Sequence, residues 1–172
     1  MEEPLGLLAT GNGNQNDEEG AMTVIDFEPN TFGNPVDIEY IRAVEDEIGV
    51  SFPSSFLALI KKYNGGRPID KYFELNGNEK VVERFLSFIP DYKENAMGIY
   101  DVEVVWSQIE DRLNDYLCPF AVLFAGDFLC FDSEGREEPR VVLWDHERSD
   151  EDSPVLIEVA SNFDDFLKRL HV

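Results

Sequence analysis

Basic residues are scarce in this 172-residue chain: 14 Lys and Arg stand against 36 Asp and Glu, for a formal net charge of −22. Affinity for a phosphate backbone depends on Lys and Arg displacing counterions, so the shortage argues against nucleic acid and against an anionic membrane surface as partners. Histidine and cysteine are rarer still, with two residues of each. Cys118 and Cys130 sit in aromatic-rich, strand-like surroundings and read as buried small hydrophobes rather than a disulfide or a metal pair, since a chain of this length needs no staple. No apolar run reaches membrane-spanning length. The start, Met1-Glu2-Glu3-Pro4, lacks the basic region that opens a secretory signal, which points to the cytoplasm.

Apolar material, by contrast, is ample: 43% of residues are hydrophobic and 13 are Phe, too many for a disordered acidic chain. The acidity therefore decorates a folded body. Such a field steers association toward a basic protein, although charge alone is equally consistent with a role in solubility. The distribution is uneven. Residues 1–36 hold seven acids and no Lys or Arg, and their Gly/Asn-rich centre without apolar periodicity reads as a leader, with a short edge strand at 22–27. Gly11 and Gly13 lack the preceding strand, third glycine and lysine of a phosphate loop.

From Asp37 the pattern becomes helical. Ile38, Ile41, Val44, Glu45 and Ile48 follow three- and four-residue steps, Asp37 is placed to cap and Gly49 to end the helix. Phe52-Pro53 breaks the chain, and Ser54 or Ser55 opens a second helix with Phe56, Leu57, Leu59, Ile60 and Tyr63, stopped by Asn64-Gly65-Gly66. Strands are expected at 72–75 and 80–89 around Asn76-Gly77, a helix over 101–113, strands at 120–124, 127–131, 141–144 and 155–159, and a last helix over 162–170. The order ααββαββββα, with hairpin connections, predicts a single α+β domain over 37–172: a mainly antiparallel sheet packed by helices.

The sequence carries no recognisable catalytic constellation. His171 is penultimate and expected to fray; His146, in Asp145-His146-Glu147, is the one histidine placed for acid–base work, with flanking carboxylates to raise its pKa, yet it reads better as a turn residue. No G-x-S-x-G, H-E-x-x-H or paired C-x-x-C is present. Two acidic clusters stand out, Asp145, Glu147, Asp150, Glu151 and Asp152 before Pro154, and Glu134, Glu137 and Glu138 around Gly135. Neither keeps the ligand spacing of a calcium loop, so no metal or cofactor is implied. Trp106 and Trp144 are core or half-buried anchors, with a groove-lining role left open.

Taken in order, several segments resemble the SMI1/KNR4, or SUKH, superfamily. They are the helix 41–49 with Phe52-Pro53-Ser54-Ser55-Phe56, the stop at Asn64-Gly65-Gly66, then Pro119-Phe120-Ala121, Gly126-Asp127-Phe128-Leu129-Cys130-Phe131-Asp132, Val141-Val142-Leu143-Trp144-Asp145-His146-Glu147 and 159–167. Phe52 stands where the family more often has Leu, and the connection before Gly126 is more apolar than usual. The resemblance implies a non-catalytic binding role: bacterial members resemble immunity proteins that neutralise a cognate toxin, often a nuclease, and fungal relatives resemble regulatory scaffolds. Under that reading the partner is a basic toxin protein, met by the two acidic clusters. An intracellular scaffold without a toxin, or a carboxylate-dependent enzyme, are the competing readings.

Overall fold

A computed structural model describes residues 23–172 of the chain. Helix α1, Ile38–Ile48, buries Ile41, Val44 and Ile48 and ends at Gly49, whose φ of 81° turns the chain back so that the Val50 N–H joins that of Gly49 on the Glu45 carbonyl. Helix α2, Ser54–Lys62, starts directly after Pro53 and buries Phe56 and Ile60. Neither Asp37 nor a serine caps with its side chain; the extended Pro53 occupies the cap position of α2.

Six strands follow as an antiparallel meander in sequence order: β1 Tyr72–Leu75, β2 Asn78–Phe85, β3 Leu117–Leu123, β4 Phe128–Asp132, β5 Arg140–Trp144 and β6 Leu156–Ala160. Asn76 and Gly77, with φ of 51° and 80°, make the tight turn that matches strand twist between β1 and β2. Helix α3, Val102–Ile109, and a 3₁₀ turn, Glu110–Arg112, are inserted between β2 and β3, and α4, Phe163–Arg169, closes the fold. The expected single-domain α+β architecture is the one observed.

Strand alternation divides the sheet into two faces. On one, Phe120 and Phe131 stack at 4.1 Å and Phe56, Phe163 and Phe166 meet them edge-on, forming the main core with α1, α2 and α4. On the other, Leu117, Cys130, Val142 and Trp144 are covered by Ile109 and Leu113 from the end of α3, with Trp106 touching both clusters. Cys118 and Cys130 are buried free thiols on these two faces.

The strand expected to run to Ile89 ends at Phe85. Beyond it Leu86 N–H still donates to Phe120 O and Ser87 bridges to Asp101, and from Phe88 two buried side chains replace the ladder. The Asn64 amide accepts from Phe88 N–H at 2.8 Å and donates to Phe88 O at 2.9 Å, while the Asp101 carboxylate accepts from Ile89 N–H at 2.8 Å and from Glu103 and Val104 N–H at the start of α3. Polar side chains buried with full hydrogen bonding thus fix where β2 ends and α3 begins.

The packed body begins earlier than Asp37. Residues 23–36, read from sequence as part of the leader, form an arm: Ile25 and Phe27 lie in the core, and Phe27 stacks on Tyr63 at 4.6 Å. Glu28 N–H donates to Arg67 O, and the buried Arg84 guanidinium, stacked over Tyr100 at 4.1 Å, donates to Thr31 O. In place of the edge strand at 22–27 there is one bridge, Phe27 to Pro68. The turn residues Pro29, Asn30 and Gly33 break any period, which is why the two anchors were not legible. The remainder of the leader, residues 1–22, lies outside the described residues. The C-terminus also differs: His171 exchanges both backbone hydrogen bonds with Tyr72, so it is held on β1 rather than frayed.

Candidate functional site

Charge is segregated by position in the fold. Residues 53–90, which hold α2, β1 and β2, carry six bases against four acids, whereas 91–116 carry seven acids against two bases and 132–152 nine acids against three bases. The last two segments are joined in space. Leu117 pairs with Asp132 and Ser133 N–H donates to Tyr116 O, so the stretch after α3 begins beside the β4–β5 turn. At the other end of β5, Asp152 N–H donates to Asp111 O at 3.0 Å and Arg112 donates to His146 O at 3.2 Å. The end of α3 and its 3₁₀ turn therefore lie across the sheet, linking the β4–β5 turn at one end of β5 to the β5–β6 loop at the other. The result is an acidic stripe along the length of a strand.

Two grooves flank Gly49 within this stripe. One is lined by Glu45, Asp46, Arg136 and Glu137; the other by Trp106, Glu110, Asp111 and Asp115, with Ile48 and Leu113 beneath. Most local arginines are committed elsewhere. Arg112 stacks on Trp144 at 4.8 Å, Arg140 pairs with Asp132 at 2.8 Å and Arg148 with Asp145 at 2.8 Å. Two titrating groups respond to burial first and to neighbouring acids second. Burial, with Asp101 and Glu47 nearby, pushes the Glu103 carboxyl up, and burial with Asp101 and Glu103 pushes the Tyr40 phenol up to about 12.

Helix ends show the same pattern. In α2 and α4 the last turn carries Lys61 and Lys62 or Lys168 and Arg169, and α4 opens on Asp164 and Asp165, each complementing the helix dipole. In α1 the last turn has no base and holds Glu45, Asp46 and Glu47; α3 runs into Glu110 and Asp111. Carboxylates at a helix C-terminus oppose its dipole; Glu45 is also used by the fold, accepting from Phe52 N–H at 2.9 Å, while Asp46, Glu110 and Asp111 line the grooves.

The residues singled out from sequence divide accordingly. Glu134, Glu137 and Glu138 are exposed on the β4–β5 turn, with Glu137 in a groove wall; Glu147, Asp150, Glu151 and Asp152 are exposed on the β5–β6 loop. Asp145 is half-buried and turned inward: the Arg148 guanidinium holds its carboxyl below the usual range, and it also accepts from Glu147 and Arg148 N–H. It organises the loop. His146 pairs not with its chain neighbours but with Asp127, whose carboxylate accepts from its Nδ1 at 2.7 Å and its backbone N–H at 3.0 Å, tying the β3–β4 turn to the same loop. Among the described residues no three His, Cys, Asp or Glu side chains converge as metal ligands. Sequence reading missed Glu45, Asp46, Glu110, Asp111 and Asp115. Their signal was present as acids at helix ends where bases belong. Trp106 proves to be the tryptophan that lines a groove, while Trp144 is fully buried.

The family model described as SMI1-KNR4 cell-wall, SUKH_6, matches residues 38–167. The chain belongs to that family. The SUKH_6 match starts with α1 and ends within α4, so it takes in the whole sheet and every segment of the acidic stripe, and leaves the arm outside. No match is found among curated proteins. No described helix of this SUKH_6 member is long and apolar enough to cross a membrane.

Proposed function

We propose that this protein is a non-catalytic immunity protein of the cytoplasm, which neutralises a cognate basic toxin of nuclease type by binding it through the acidic stripe. The observation that carries the reading is the set of carboxylates at the ends of α1 and α3, which line grooves that contain few free bases. A cationic cleft built to hold nucleic acid has the complementary charge, and seating it on the stripe would relieve the repulsion around Glu47 and Glu103. Trp106, half-buried on a groove wall, supplies the aromatic anchor that such interfaces favour. Membership of the SUKH_6 family supports a binding role of this kind.

The test is co-expression of the toxin domain encoded beside this protein's gene, with wild-type protein, with a Glu110→Lys/Asp111→Lys/Asp115→Lys variant, and alone. Rescue by the wild type and loss of rescue by the variant are expected. Death of the cells whether or not the wild type is present would sink the immunity reading, whereas full rescue by the variant would move the interface off the stripe.

A further inference from the structure

A second surface lies away from the acidic stripe. Between α2 and α4, beside the first described residues of the arm, a groove is walled mainly by carbon: Val24, Ala58, Leu59, Tyr63 and Leu167 line it. Ala58 and Lys62 are exposed on the side of α2 away from its buried residues Phe56 and Ile60, while Leu59 and Tyr63 are half-buried at the edge of the main core and leave part of their surface on the groove. Val24 is 81% exposed at its edge. Lys61 and Lys62 stand exposed at the end of α2, and among the described residues neither reaches a carboxylate within ion-pair distance.

We propose that this groove is the docking site of the chain's own N-terminal segment, with Leu5, Leu7 and Leu8 on the apolar wall and the segment's carboxylates against Lys61 and Lys62. Three observations select this occupant. The chain enters the groove at Thr23, so residues 1–22 are tethered at its rim. Residues 10–22, rich in Gly, Asn and acids, separate the leucines from that anchor; thirteen residues reach roughly 20 Å by random-coil scaling, about the length of a short helix groove, and a tether of that reach sets a millimolar effective concentration, where few contacts suffice. Charge selects one side of the groove: the segment contains Glu2, Glu3, Asp17, Glu18 and Glu19 and no base, so its acids face the α2 wall with Lys61 and Lys62 and not the α4 wall, where Asp164 stands. The segment thereby covers an apolar surface and turns its acids away from the stripe that the toxin reading requires, and the inference stands whether or not that reading does.

Paramagnetic relaxation in the full chain tests it. A nitroxide placed through Ala9→Cys labels selectively, because Cys118 and Cys130 are buried and burial pushes both thiols well up. Loss of most amide signal is expected around Val24, Ala58, Leu59 and Leu167, and its recovery when Leu59, half-buried on the groove, is changed to Lys (Leu59→Lys). Broadening spread evenly over the surface, or unchanged by Leu59→Lys, overturns the proposal. So does broadening that arises only when labelled chains are mixed with isotope-labelled, nitroxide-free ones, since the segment would then belong to a second copy.

Discussion

Asp101 shows how one residue can hold three parts of the fold. Its fully buried carboxylate caps α3 through Glu103 and Val104 and takes the Ile89 N–H that has left the sheet. Asp101→Ala removes a cap and strands a buried N–H, so a loss of about 2–4 kcal/mol is expected in urea unfolding. Burial, set against those three backbone N–H groups, raises the Asp101 carboxyl above its ordinary range. A raised folded value means that the stability it contributes is full below the unfolded value of about 4 and is lost as pH climbs through the folded one. The gap in unfolding free energy between wild type and the non-titrating Asp101→Asn is therefore expected to widen as pH is lowered toward the unfolded value of about 4. A gap that narrows would contradict the assignment. Neither Asp101 nor Asn64 could be singled out from sequence, because a buried polar residue and an exposed one look alike until the chain that they serve is placed.

At the scale of elements, apolar periodicity was enough to place α1, α2, α3, α4 and the six strands, because each buries a stripe or an alternating face in the core. Asn76-Gly77 and Gly49 marked their turns for steric reasons that act locally. The end of β2 and the arm were not legible in the same way: both depend on partners distant in sequence, Asn64 and Asp101 for residues 88–89, Arg67 and Arg84 for residues 28–31. The candidate site was half legible. Runs of acid in loops drew attention to Glu134 through Asp152, but acids at 45–47 and 110–115 stood at helix ends and were absorbed into the helix pattern. Their placement gives a prediction in which stability and binding part company. Asp46→Lys and Glu47→Lys, singly, are expected to raise the unfolding free energy by about 0.3–1 kcal/mol by complementing the α1 dipole, and to weaken the partner complex. Destabilisation by both would mean that the acids already serve the fold.

For the whole molecule, the net charge of −22 gains a location. One end, built from α2, β1, β2 and α4, carries its charges in near balance and in dipole-compatible places; the other, from the last turn of α1 through α3 to the β4–β5 turn and the β5–β6 loop, concentrates the excess along β5. Solubility alone asks for no such segregation, whereas steering toward a basic cleft does. The most direct measurement is the association rate with the cognate toxin as a function of ionic strength, for the wild type and for Glu110→Lys/Asp111→Lys/Asp115→Lys. The wild-type rate is expected to fall at least about tenfold between low and high salt, and the triple variant to associate more slowly with a flatter salt dependence. Equal rates and equal slopes for the two proteins would contradict an acidic docking face.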